Sequence, residues 1–383
     1  MVLASTSAST VSTIPIFLLG AMGLFVRSDL DFGQTQLGIA VSAFWLTMAL
    51  GGISGGRVSQ RLGATISVRW GVSISIATLL AIACAPSWPV LVALMGVAGL
   101  ADALTQPAVD LALFDAVPVD KLGLAFGIKQ TALPGAALVA GIGVPLLAST
   151  VGWRWGFVFG ALVGVPALIA MPHLAHRKSS ASRKADGSHA RLRGIVVFAI
   201  AFGLAMIAVS ATGAFYVESA IAGGSSADAA GLFLAAGSIC GIAGRFLFAW
   251  RLGDVRQPLV ATSVIMTVGG LGLLGFALVQ PGWPLFLVTL IAIGAGWGWN
   301  GLLTFAVVSA FPGAPARASG YIVLGAATGG ILGPVTFGIL VQHAGFPVAW
   351  VAASLCFFAA ASLLVVISRA ASRRASVTTL QAT

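Results

Sequence analysis

Asp102, Gln106 and Asp110 stand four residues apart in a run, 89–112, that is otherwise almost wholly apolar. On a helix this spacing places all three on one face, and Thr105 lies beside them. Two carboxyl groups and an amide in such a stripe can bind a cation or hold a proton. An ionised side chain at the centre of a bilayer costs about 2.5–3.5 kcal/mol even on the lenient insertion scale. The stripe therefore has to face protein or a polar cavity. Asp102 is 13 residues into the run, which at 1.5 Å per residue is ~20 Å deep and past a membrane midplane. A carboxylate fixed by hydroxyls of a neighbouring helix is the structural alternative.

The next run, 122–148, carries Lys129. Asp110 and Lys129 lie 8 and 10 residues either side of the turn at 118–119. On antiparallel neighbours they would reach similar depth and could pair, as a gate, as a proton carrier or as a structural contact. Arg245 falls in a third run, 229–250. Arginine keeps its charge and favours carboxylate or phosphate partners. With Lys129 it could form an anion site; alternatively it packs on Asp254 or on helix-end carbonyls. The segment GAGWGWNG, 294–301, puts Trp297, Trp299 and Asn300 in mid-run, away from the interfaces where tryptophan usually sits. The indoles could stack on a substrate ring or cation, with Asn300 orienting a polar group, or they fill the core. Glu218, Asp228, Asp29 and Asp31 lie near run ends and are expected to be solvated.

Other chemistries find no support. His173, His176 and His343 have no metal-like or triad-like spacing. Cys84, Cys240 and Cys356 sit in apolar runs as small hydrophobes. No phosphate-binding loop, zinc motif or nucleophile elbow is present. No cofactor, no metal and no enzymatic activity are expected.

What must position these residues is a membrane protein. Of 383 residues 58% are hydrophobic and 8% charged, against about 25% charged in soluble domains. The apolar runs are continuous rather than alternating, so helices span, not barrel strands. Twelve spans are expected: 7–26, 36–56, 68–85, 89–112, 122–148, 154–172, 194–217, 229–250, 258–279, 283–308, 318–341 and 347–368. The net charge of +10 is scattered over short loops, which fits the positive-inside rule and not nucleic-acid binding. With both termini cytoplasmic, 16 of the 20 Lys and Arg fall inside and only Arg27 and Arg154 outside. Residues 173–193 form a basic polar linker and 369–383 a tail.

The two halves look like copies. APSWP at 85–89 recurs as QPGWP at 280–284, an offset of 195; Gly38 and Gly231 differ by 193, as do Gly127 and Gly320. This predicts two six-helix bundles, 1–172 and 194–368, with a site near the midplane between them. An offset of 195 sets Asp102 against Trp297 and Thr105 against Asn300.

The segment FGQTQLGIAVSAFWLTMALGGISGGRVSQRLG, 32–63, resembles the second helix and following loop signature of the major facilitator superfamily. Gly56, Arg61 and Gly63 match, while Gln60 stands where the family usually has Asp. GRFLFAWRLGD, 244–254, is the related segment of the second half, with Gly253 and Asp254 shifted by one. FGIKQTALPGAALVAGIGVP is similar to fifth helices of bacterial members. The resemblance implies a twelve-helix secondary transporter whose first, fourth, seventh and tenth helices line a central cavity. It also implies a cytoplasmic latch at Gly56, Gln60, Arg61, Gly63 and Asp254.

The expected protein is a monomeric transporter in the inner membrane, surrounded by lipid and moving a small-molecule substrate by alternating access. Protons are the expected coupling ion, through Asp102, Asp110 and Lys129. The expected substrate contacts are Asp102, Thr105, Gln106, Arg245, Trp297, Trp299 and Asn300. Lys129 and Arg245 favour an organic anion; Asp102 and the tryptophans favour efflux of hydrophobic or cationic compounds. A non-transporting receptor or scaffold is the rival from another class.

Overall fold

The computed structural model describes residues 1–118, 121–170, 192–251, 257–311 and 315–382. Fourteen helices are assigned among them: α1 Val2–Ala21, α2 Gly23–Leu30, α3 Gln34–Leu62, α4 Ala64–Ala83, α5 Trp88–Ala116, α6 Leu122–Lys129, α7 Ala132–Gly143, α8 Trp153–Ala170, α9 Leu192–Ala222, α10 Ala227–Arg251, α11 Pro258–Leu278, α12 Trp283–Gly298, α13 Asn300–Ala310 and α14 Pro315–Ala382. A π-helical turn, Val144–Ala148, extends α7. Eleven stretches among the described residues are long and apolar enough to cross a membrane. The last of these is double. At Gly345 the backbone of α14 turns to φ 82°, ψ 169°, a left-handed excursion open to glycine, so α14 has two arms and the crossings number twelve.

Proline starts several helices. Pro89, Pro258, Pro284 and Pro315 sit at the first or second position, where the missing N–H costs nothing. The repeat offset reappears in these starts: α3 and α10 begin 193 residues apart, α4 and α11 194, α5 and α12 195. Helices overrun the apolar spans, α3 reaching Leu62 where 56 was expected, because intrahelical hydrogen bonds persist into the polar interface. The expected linker lies outside the described residues, apart from 192 and 193 at the start of α9. The expected tail is helical to Ala382.

The first six crossings pack on one another, as do the last six, and the halves meet along three seams: α3 on α14, α1 on α9, and α7 on α10. Near the end that carries Arg27 these seams are tight. A Cβ on Gly38 would collide with the Pro334 carbonyl, and one on Gly20 with the Gly213 carbonyl. Gly141 and Gly231 oppose each other in the same way. Small residues permit this close approach, which replaces hydrophobic driving force in lipid. Ser42 Oγ donates to the Ile331 carbonyl at 2.6 Å, and Thr35 Oγ1 to Gln342 Oε1 at 2.6 Å. Away from that end, α6 of the first half packs on α10 of the second. Among the described residues, the close backbone approaches at Gly38, Gly20 and Gly141 lie toward the Arg27 end.

The Gly38 contact is testable. In a variant without native cysteines, Ser42→Cys should resist a membrane-impermeant maleimide arriving from the Arg27 end. Adding Gly38→Leu should raise that labelling several-fold, since a leucine cannot pass the Pro334 carbonyl; unchanged labelling would show that this seam is not the seal.

Candidate functional site

Three helices break near the middle of the protein: α1/α2 at Met22, α6/α7 at Gln130–Thr131, and α12/α13 at Trp299. Each break frees carbonyls that need partners where no water is available. Arg245 of α10 supplies two of them. Its Nε donates to the Trp297 carbonyl at 2.7 Å, and its Nη1 to the carbonyl of Gln130. One guanidinium thereby caps the ends of α6 in the first half and α12 in the second. It is 5% exposed, and no carboxylate among the described residues lies within ion-pair distance of it. The helix-end reading of Arg245 is the observed contact.

Lys129, one residue before this break, is ion-paired through Nζ to Asp110 Oδ1 at 2.8 Å. The Asp110 side chain is 40% exposed and that of Lys129 10%, so the pair lies at a polar margin rather than in the core. Lys129 and Arg245 therefore converge on one segment of the chain, the first through its own position and the second through the Gln130 carbonyl.

Asp102 is 3% exposed. Its Oδ1 accepts from Ser12 Oγ at 2.5 Å and from Gln106 Nε2 at 2.9 Å. Ser9 Oγ lies 3.4 Å from Gln106 Oε1. The carboxylate is held in the contact between α1 and α5. This is the alternative of a carboxylate fixed by hydroxyls of a neighbouring helix, and the start of the chain is dense in them (Ser5, Thr6, Ser7, Ser9, Thr10, Ser12, Thr13). Gln106 is half-buried.

Two of the expected substrate contacts pack within their own halves. Thr105 is fully buried, bonded to the Ala101 carbonyl at 2.8 Å, and packs on Gly71 of α4, where a Cβ would meet its Oγ1. It faces a neighbour in its own half because residues 102 and 105 are offset by about 60° at 3.6 residues per turn. Trp299 is also core: its Nε1 donates to the Gly296 carbonyl at 2.8 Å, and Phe202 of α9 meets its ring edge-on at 4.8 Å. Trp297 differs. Its ring is 5.5 Å from that of Phe17 on α1, so it joins the halves, and its Nε1 has no partner. Asn300 is half-buried beside Gly301, around which a Cβ would meet nothing within 4 Å.

Of the expected latch, Gln60 and Arg61 are exposed and Gly56 and Gly63 flank them; Asp254 lies outside the described residues. Arg61 joins no ion pair among the described residues. The expectation that Glu218 is solvated is overturned. It is 3% exposed and pairs with Arg27 across the two halves, with its second oxygen unpartnered. Tertiary folding brings α9 against α2 there, and only a charge of opposite sign makes such burial tolerable. Asp29 is paired as well, with Arg154 at 2.5 Å, but at the surface. Cys84, expected to be buried, is exposed.

This geometry is that of a known family. The sequence profile of the Major Facilitator Superfamily matches residues 1–325. The chain belongs to that superfamily. A gentisate transporter of Corynebacterium glutamicum is 26% identical over 379 residues, covering 91% of this chain and 82% of the relative. A methylenomycin A resistance protein of Streptomyces coelicolor is 27% identical over 200 residues, covering 51% of this chain but only 41% of that protein. Among solved structures, a mutant of the nucleoside transporter NupG superposes with a TM-score of 0.73 at 15% identity, covering 96% of this chain and 98% of the other; this likeness speaks to the fold. The protein is a multi-pass membrane transporter of small solutes, and the twelve-helix fold expected from the sequence is the one observed.

The Arg27–Glu218 pair gives a prediction. Removing one partner, as in Arg27→Met, strands a buried charge and should lower stability by about 3–5 kcal/mol. Arg27→Met with Glu218→Leu should recover most of that loss. Thermal unfolding of the purified protein reads both, and equal destabilisation by the double variant would mean that the charge pairing is not what matters.

Proposed function

We propose that this transporter moves a small organic anion across the cytoplasmic membrane by alternating access, coupled to protons, with Arg245 as the anchor for the anion. The observation that carries this reading is the buried guanidinium that bridges both halves with no carboxylate among the described residues in ion-pair contact with it. Such a charge in low dielectric favours an anionic visitor, and guanidinium geometry suits a carboxylate. Gln106, Asn300 and Trp297 supply polar and aromatic contacts on the way to it. Lys129, freed from Asp110, offers a second cation. The relative named for gentisate, an aromatic carboxylate, agrees in substrate class.

In this reading the bundles 1–172 and 194–368, joined by the linker 173–193, rock about Arg245. Both termini and the basic loops are cytoplasmic, so the Arg27–Glu218 pair closes the outer side and the opposite end is the one that opens inward. Gln60 and Arg61 re-engage near Asp254 when the inner end closes. Asp102 and the Asp110–Lys129 pair carry the coupling proton, Asp110 being reachable from the open end and Asp102 reached through Gln106 and the α1 hydroxyls. The protein acts as a monomer in the lipid of the inner membrane.

A second reading is export of a hydrophobic compound. The aromatic surface of Phe17, Trp45 and Trp297 favours it, and a relative named for antibiotic resistance agrees.

Uptake of labelled benzoate and gentisate into proteoliposomes under an imposed proton gradient separates the two. Arg245→Lys keeps the charge but loses the fork, and should cut carboxylate kcat/KM by about tenfold or more, since charge-assisted hydrogen bonds contribute about 1.5–3 kcal/mol. Parent-like carboxylate transport by this variant, or transport of neutral and cationic compounds with no carboxylate moved, would overturn the anion reading.

A further inference from the structure

α11 and the second arm of α14 touch where Gly270 admits Phe358; a Cβ on that glycine would come within 2.8 Å of the ring. From this contact toward the end away from Arg27, the two helices leave a groove of about 800 Å³ between them. Ligand sites commonly enclose roughly 300–1,000 Å³. One wall follows α11 from Val268 back to Gln257, and the other follows α14 from Val365 to Arg369. Eleven residues of helix rise about 16 Å, close to half of a hydrocarbon core ~30 Å thick. The groove is therefore about as deep as one leaflet. It lies on the outside of the protein, since Val264 is 56% and Val268 40% exposed.

Its chemistry changes from end to end. Val260, Val264 and Val268 recur every fourth residue and form one stripe of α11. The two hydroxyls between them are already satisfied by their own helix. Ser263 donates to the Val260 carbonyl at 2.8 Å, and Thr267 to the Ser263 carbonyl at 2.8 Å. The deep part of the groove thus asks for no polar partner. The mouth is basic. The apolar stretch of α14 ends at Arg369, which is exposed and joins no ion pair among the described residues. The first turn of α11 holds no acidic residue. No Asp or Glu occurs after Asp254 in the sequence, whereas Arg256, Arg369, Arg373 and Arg374 all do. The last four crossings therefore bring positive charge to this end without carboxylates of their own to balance it.

We infer that this groove binds an anionic glycerophospholipid, with an acyl chain along the valine stripe and the phosphate at Arg369. The lipid belongs to the leaflet away from Arg27, the cytoplasmic one in the orientation proposed above. A zwitterionic lipid satisfies the apolar wall equally well, so the basic mouth is what selects. Basic pockets between membrane helices on the cytoplasmic side suit such headgroups. A bound lipid touches both helices and ties α11 to the last arm of α14, whatever solute the protein carries.

Thermal unfolding of the purified full chain in neutral detergent, titrated with dioleoylphosphatidylglycerol, dioleoylphosphatidylcholine or sn-glycerol 3-phosphate, tests it. The phosphatidylglycerol should stabilise the parent saturably, at about fivefold lower concentration than the phosphatidylcholine, which is the worth of one basic side chain at an anionic surface. Glycerol phosphate, having no chain, should not stabilise. Arg369→Gln should remove the preference and leave the phosphatidylcholine response at the parent level. Val264→Trp fills the groove and should weaken both lipids several-fold. Equal potency of the two lipids on the parent, a preference that survives Arg369→Gln, or lipid binding untouched by Val264→Trp overturns the site. Stabilisation by glycerol phosphate alone also overturns it, in favour of a free-anion site.

Discussion

Backbone polar groups cannot be left bare in hydrocarbon, and the centre of this protein is organised around that constraint. Continuous helices satisfy it automatically. Here α6/α7 and α12/α13 are interrupted, one in each half, and the carbonyls released at Gln130 and Trp297 both turn to the same guanidinium. Arg245 is therefore a helix cap twice over, and the point at which the two bundles are tied by polar contacts near their middle. An arginine placed there for structural reasons brings a charge with it. The coincidence of a structural need and a buried cation gives the seam between the bundles its chemical character.

The remaining charges follow the same economy of placement. Asp102 is enclosed by a serine and a glutamine from α1 and α5. Asp110 and Lys129 satisfy each other in a pair that is partly exposed on the Asp110 side. Arg27 and Glu218 do so at the closed end, across the halves. Buried ion pairs stabilise weakly when intact but strongly resist the loss of one partner. A pair that spans the two bundles, as Arg27 and Glu218 do, therefore ties them by a contact whose loss on one side alone is costly. Glycine-lined seams do the complementary work, since small residues let the backbones touch without long side chains having to interdigitate.

Much of this was legible in the sequence. Span number and approximate position followed from apolar run length, and the offset of 193–195 residues anticipated the matched helix starts. The spacing of Asp110 and Lys129 about a turn anticipated their ion pair, because depth in an antiparallel hairpin is fixed by counting residues. The helix-face reading of the fourth span was less secure. Thr105 shares the apolar run of Asp102 but points to Gly71 of α4, and a stripe defined by a spacing of four says nothing about which neighbour lies beside it. Trp299 and Trp297 were equivalent in sequence, two residues apart, and a helical rotation of about 200° sends one to the core of its own bundle and the other to the seam.

The sequence by itself determined what is local or periodic: helices long enough to cross, their number, their internal repeat, the asymmetric basic loops, and the family signature at Gly56, Arg61 and Gly63. Tertiary structure alone decided which distant groups would meet. Glu218 and Arg27 are 191 residues apart, Arg245 and Gln130 115, Ser42 and Ile331 289. The physical reason is that burial in a bilayer is specified by composition, while contact between two bundles depends on how each helix is rotated and on where glycine lets backbones approach. Neither of those leaves a periodic mark on the chain.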